Sequence, residues 1–120
     1  MIMSKKSEAK FKEWMPVVDR PWGYYYHMGS GPRWLTKVLV IIPNQSTSMQ
    51  LHLHRTETYL VVEGVADISM NGDIKTLYEG HIGWVTPGTW HQITNTGKID
   101  LVIVETWMGS YLNEDDIERK

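Results

Sequence analysis

Five histidines and no cysteine set the chemistry open to this chain. Without thiolates, a metal must be held by imidazole, carboxylate or amide groups, and no disulfide can supplement the core. The segment Gln50-Leu51-His52-Leu53-His54 alternates polar and apolar residues. On a strand, that alternation puts Gln50, His52 and His54 on one face and the two leucines on the other. Two arrangements fit the pattern. The histidines can sit on an exposed sheet face above a leucine-lined core, or they can face into a closed barrel, where neighbouring buried donors would be satisfied by a bound ion. His91 favours the second arrangement. Gly80 and Gly88 bracket a short strand and turn leading to it, and Asn95 follows four residues later, so another imidazole can approach from a distant part of the chain. Imidazole and carboxylate together suit Zn, Fe, Mn or Ni.

A site of this kind needs strands to position it, and the sequence supplies them. From Pro21 onward, short β-branched and aromatic runs are separated by Gly, Pro and Asn, the pattern of a sandwich or barrel with few or no helices. The expected strands are Trp22–Met28, Thr36–Ile42, Ser48–His54, Thr58–Glu63, Val65–Met70, Ile74–Tyr78, Ile82–Val85, His91–Thr94 and Leu101–Trp107. Asn71-Gly72-Asp73 lies between two of them, and Asn-Gly supplies the positive φ values of a tight hairpin. Residues 1–18 read as an N-terminal extension, with Phe11 and Trp14 spaced as in a short amphipathic helix; residues 19–120 read as one domain. The acidic stretch near the C-terminus reads as a solvated tail or helix start.

The 120 residues leave room for one core, and 42% apolar content with six Trp and six Tyr is ample to fill it. A net charge of -2 with interspersed signs offers no broad basic surface, so nucleic acid is not an expected partner. No apolar run approaches the roughly 20 residues needed to span a bilayer, and no secretory leader is evident, so the expected setting is the cytoplasm with no membrane partner. Exposed strand edges on a small barrel lead us to expect a homodimer.

The spacing of these residues resembles the two motifs of the cupins, a superfamily of all-β, double-stranded β-helix (jelly-roll) barrels. The second motif fits as Gly80, Thr86-Pro87-Gly88, His91 and Asn95, with Thr86 where the family has Pro. The first fits in one register only: Gln50 and His52 as the paired donors, Glu57 after four residues and Gly64 after six more, with Asn44 in the first Gly position. The resemblance thus implies a metal held by Gln50, His52, Glu57 and His91, with His54 nearer the pocket mouth. It implies a divalent metal, zinc first, with Mn, Fe, Co or Ni also suited.

Arg20-Pro21-Trp22-Gly23, Gln50-x-His52-x-His54-Arg55-x-Glu57 and Tyr111-Leu112-x-Glu114-Asp115-Asp116-Ile117 narrow the likeness. Together they resemble the cupin domain of type II mannose-6-phosphate isomerases, a carbohydrate-metabolism family. That resemblance implies aldose–ketose isomerisation of a phosphorylated hexose. A metal would polarise the carbonyl, His54 would move a proton between adjacent carbons, and Arg55 or Lys37 would hold the phosphate of the small-molecule partner. A non-catalytic sugar or sugar-phosphate binder and an iron-dependent dioxygenase are the alternatives, because cupins host many chemistries.

Overall fold

The structure is a computed structural model describing residues 16–120, so residues 1–15, including Phe11 and Trp14, lie outside the described residues. Eleven strands make up the regular structure: β1 (Val18–Arg20), β2 (Gly23–Gly31), β3 (Trp34–Ile41), β4 (Gln50–Leu51), β5 (Thr56–Glu63), β6 (Ala66–Met70), β7 (Asp73–Leu77), β8 (Ile82–Val85), β9 (His91–Asn95), β10 (Leu101–Met108) and β11 (Glu118–Arg119). No helix occurs among the described residues, and none is long and apolar enough to cross a membrane. The strands form two antiparallel sheets, ordered β1-β2-β3-β10-β5-β8 and β11-β4-β9-β6-β7. The fold is the all-β cupin arrangement expected from the motif spacing.

The alternation of residue types along the strands creates the core. Inward positions of β5 and β10 are buried at every second residue: Glu57, Tyr59 and Val61 on one, Leu101, Ile103, Glu105 and Trp107 on the other. At one end these positions are aliphatic and join Leu39, Ile41, Ala66, Ile68, Val85 and Ile93 in a single core. At the other end they turn polar, so the barrel interior is a packed core at one end and a lined cleft at the other. Cross-strand register decides which polar residues meet there. Trp107 stands opposite Glu57, while Glu105 stands between Tyr59 on β5 and Lys37 on β3.

The local signals agree with the backbone. Asn71 and Gly72 both have positive φ (49° and 89°) and close the β6–β7 hairpin, where Met70 faces Asp73. Asn44, at a motif position usually held by Gly, has φ 65°, which Asn tolerates better than most other residues. Gly23 explains the end of the Arg20-Pro21-Trp22-Gly23 run: a Cβ there would stand 2.0 Å from the Val40 carbonyl oxygen. Asn95 is structural. Its fully buried amide donates to the carbonyls of Ile41 (2.7 Å) and Ile99 (2.9 Å) and accepts from Gly97 N–H (2.9 Å), joining three segments at the closed end.

Two expectations need correction. The strand read as Ser48–His54 ends at Leu51, because the Asp116 carboxylate accepts the backbone N–H groups of Leu53 and His54 (2.9 Å each) and draws the chain off the ladder. The C-terminal acidic stretch is not a solvated tail. Asp116 is buried, and β11 pairs with β4, placing Arg119 opposite Gln50. The edge strands β1, β8, β7 and β11 are the surfaces on which the sequence reading expects a second copy.

Candidate metal centre and ligand cleft

His52, Glu57 and His91 converge from three separate segments, with one potential ligand atom from each lying within 4.8 Å of the others. All three are buried, and Glu57 is only 1% exposed. Glu57 Oε2 lies 3.2 Å from His52 Nε2, and Oε1 lies 3.4 Å from His91 Nε2. The other nitrogen of each ring is tied to a backbone carbonyl: His52 Nδ1 to Asp116 (2.7 Å) and His91 Nδ1 to Thr89 (2.9 Å). Donation of Nδ1–H to a carbonyl fixes the ring orientation and turns Nε2 toward the space it shares with the carboxylate, the usual support for a metal-ligating histidine. Two imidazoles and one carboxylate are a donor set that fits Zn, Fe, Mn, Co or Ni.

The electrostatics match this geometry. Burial lowers the pKa of His52 and outweighs Glu57 and the Asp116 carbonyl, which favour the charged ring. Burial also works to lower His91, but the hydrogen bond and charge of Glu57, with the Thr89 carbonyl, hold it above the ordinary value. Burial would raise Glu57, yet His91, His52 and Arg55 around it prevail and keep it ionised well below the usual carboxylate range. The Tyr59 hydroxyl also donates to Glu57 Oε1, and burial pushes that phenol far above its usual value.

Glu57 and His91 line a cleft of about 440 Å³ built from both sheets, together with Gln50, Arg55 and Tyr59, and His52 sits behind Arg55. Gln50 therefore stands at the cleft beside His91, its partner in register. Its amide nitrogen donates to Ser48 Oγ (3.0 Å), which leaves the oxygen as the end available to an ion. Arg55 is 4% exposed; its Nε donates to Glu57 Oε2 (2.6 Å), one terminal nitrogen lies 3.2 Å from His52 Nε2, and the guanidinium stacks 3.4 Å from the Trp107 ring centroid. Lys37 is 7% exposed, 3.6 Å from Glu105 and 4.4 Å from the ring centroids of both Tyr25 and Trp107. Burial, then the Glu57 charge, raise the pKa of Glu105 to about 7 against the pull of Lys37 and Arg55.

His54 stands elsewhere. Its side chain is 59% exposed and lines a separate surface groove with Tyr111 and Asp115, its Nδ1 3.1 Å from Asp116. It is not brought to the mouth of the main cleft, because the strand has already ended at Leu51. The sequence reading did not anticipate Tyr59, Glu105 or Trp107 as cleft residues. The polar members sit at alternate inward positions of β5 and β10, a signal present in the sequence but uninterpretable without the strand pairing.

Asp116 is the support of this centre. Its carbonyl orients His52 and its carboxylate holds the loop at Leu53 and His54. Burial would raise that carboxyl, but these N–H donors and His54 keep it below its usual range. Asp116→Ala keeps that carbonyl but removes the carboxylate that anchors it to the loop after His52, and loosening a partner that orients a ligand commonly costs 10- to 100-fold in metal affinity. We expect Asp116→Ala to weaken zinc binding by at least about tenfold, read by chelator competition, with Asp115→Ala as the unchanged control; equal affinities would remove Asp116 from this role.

Comparison with known proteins gives the family. A family model described as mannose-6-phosphate isomerase C-terminal matches residues 6–120. A mannose-1-phosphate guanylyltransferase of Escherichia coli is 41% identical over 102 residues, covering 85% of this chain and 21% of that protein. The xanthan biosynthesis protein XanB of Xanthomonas campestris is 37% identical over 114 residues, covering 95% of this chain and 24% of the relative. The chain thus spans about a fifth to a quarter of the length of these relatives. Among solved structures, an RmlC-like cupin from Shewanella frigidimarina aligns with TM-score 0.73 and 19% identity, covering 88% of this chain and 91% of that one. The capsular polysaccharide assembling protein CapF from Staphylococcus aureus gives 0.76 and 20%, covering 93% and 34%. At those identities the structures bear on fold alone, whereas the family model spans nearly the whole sequence: this chain belongs to the mannose-6-phosphate isomerase C-terminal family and has a cupin fold.

Proposed function

We propose that this chain is a metal-dependent sugar-phosphate cupin that interconverts the aldose and ketose forms of a phosphorylated hexose, mannose 6-phosphate and fructose 6-phosphate. The observation that carries this reading is the buried His52–Glu57–His91 cluster, whose Glu57 and His91 line a cleft that also holds the Lys37–Glu105 pair beside Glu57 on the same sheet. His52, Glu57 and His91, with Gln50 beside them, would hold a divalent ion, zinc first. Such an ion supplies Lewis acidity toward a sugar carbonyl.

The chain's own residues do the rest. Tyr59 lies against both carboxyls and donates its hydroxyl proton to Glu57, while Glu105, itself in hydrogen-bond contact with Glu57, is held toward its protonated form by burial and by that neighbouring charge. Isomerisation needs a base that takes a proton from one carbon and returns it to the next. His54 was expected in that role from the sequence, but it faces another groove, so the role passes to Glu105, a buried carboxylate lining the cleft. Lys37 holds Glu105 in place from 3.6 Å. Half-buried Trp22 and Tyr25 offer the apolar wall on which a sugar face packs, whereas Trp107 is 1% exposed against Arg55 and Lys37.

The test is turnover of mannose 6-phosphate by zinc-loaded protein. Glu105→Gln should lose turnover by at least about 100-fold, within the usual contribution of a positioned acid–base group, while metal and sugar phosphate still bind. His54→Ala should retain it. Absence of turnover by the unmodified chain, with sugar phosphate still bound, would leave a binding protein in place of an isomerase.

A further inference from the structure

Four cationic side chains line the cleft: Arg20, Lys37, Arg55 and Arg119. The two expected from the sequence to hold phosphate are already committed. Arg55 is sunk against Glu57, and Lys37 is buried against Glu105 between two aromatic rings. Bringing a dianion to either would require breaking a buried ion pair.

Arg20 and Arg119 differ from them in both respects. Both are exposed at the cleft rim, and among the described residues neither has a carboxylate within ion-pair distance. Arg20 contacts neutral acceptors, the Asp19 carbonyl (3.0 Å) and the Tyr25 hydroxyl (3.4 Å). Arg119 lies on β11 opposite Gln50, whose partner Ser48 also lines the cleft and keeps a hydroxyl proton to donate. Three carboxylates, Glu57, Glu105 and Glu114, face the four cations, and Glu57 and Glu105 are matched by Arg55 and Lys37. The rim therefore has an excess of positive charge, and an anionic ligand is its complement.

We propose that Arg20 and Arg119 form the phosphate clamp of the cleft, with Ser48 as an accessory donor, leaving the sugar end to reach the His52–Glu57–His91 cluster. The planar guanidinium suits phosphate because it can donate two parallel N–H bonds to its oxygens. β1 and β11, which carry the two arginines, come from the two ends of the described chain. The cleft is thus closed by residues nearly 100 positions apart in sequence. This inference rests on the sugar-phosphate reading of the same site.

Calorimetric titration of zinc-loaded protein with mannose 6-phosphate, mannose and inorganic phosphate separates the possibilities. Arg20→Met and Arg119→Met should each weaken mannose 6-phosphate binding by about tenfold or more, and the double variant by about 100-fold, as expected for lost charge-assisted contacts. Mannose binding should be unchanged. Arg20→Lys should recover part of the loss, and Lys75→Met, on β7 away from the cleft, should recover the unmodified affinity. Tight binding of mannose 6-phosphate by both arginine variants would overturn the clamp. If the unmodified protein binds mannose 6-phosphate without turning it over, isomerisation falls while the clamp is still decided by the variants; if it binds neither mannose 6-phosphate nor phosphate, both fall.

Discussion

Glu57→Gln protein should bind zinc at least about 100-fold more weakly than the unmodified chain, more than the 10- to 100-fold loss typical of an orienting partner. Among the described residues Glu57 is the one carboxylate that both Nε2 atoms face, at 3.2 and 3.4 Å, so it would contribute charge as well as a ligand atom. A neutral amide keeps the shape and removes the charge. The same chelator titration tests whether Gln50 or His54 completes the ligand set. Gln50→Ala should cost roughly tenfold, because an amide is a weaker ligand than imidazole. His54→Ala should leave the affinity unchanged, since that ring lies in the other groove. Retained zinc in Gln50→Ala with zinc lost in His54→Ala would mean that the ligand set is misassigned. Far-UV circular dichroism of each variant checks that a loss of metal is not a loss of fold.

Arg55→Met should produce opposite effects in metal-free and metal-loaded protein. Without metal, Arg55 is the closest cation to Glu57, at 2.6 Å and almost fully buried. Removing it strands a carboxylate in the interior, and breaking a buried pair in this way costs about 3–5 kcal/mol. Partial protonation of His91, whose pKa Glu57 already holds high, softens that loss. A decrease in Tm of roughly 10 °C in the presence of chelator is the expected result. With zinc added, the sign of the comparison changes. Arg55 also lies 3.2 Å from His52 Nε2, so its guanidinium uses the lone pair and the carboxylate oxygen that an ion would take. Freed of that competitor, the variant should show a larger zinc-induced rise in Tm than the unmodified protein, because stabilisation grows as RT ln(1 + [L]/Kd). Equal melting temperatures in chelator, or a smaller zinc-induced shift, would refute this account of Arg55.

Much of the barrel was legible in the residues because its signals are local. Asn71-Gly72 specifies its own positive φ values, and the alternation on β5, β9 and β10 assigns each side chain a face without reference to any partner. Motif spacing likewise linked His52, Glu57 and His91, which the structure brings within 4.8 Å of one another. Where local signals were read alone, they misled. The alternation of Gln50 to His54 favoured a continuous strand, and Asp116, more than 60 residues away, ends it after Leu51. That one carboxylate turns His54 toward solvent and gives the acidic C-terminal stretch a structural role.

By itself the sequence determined the all-β class, the hairpin and the single core, since each follows from residue type and short-range pattern, while His52, Glu57 and His91 were linked by the resemblance to the cupin motifs. Tertiary structure alone decided the rest of the cleft. Lys37, Tyr59 and Glu105 meet because β3, β10 and β5 pair in one particular register, and a shift of one residue would turn every one of them to the outer face. Whether Arg55 and Lys37 are free to meet a ligand was likewise a question of burial and pairing. Both are expected from the sequence to hold phosphate, yet both are held by carboxylates that only folding brings to them.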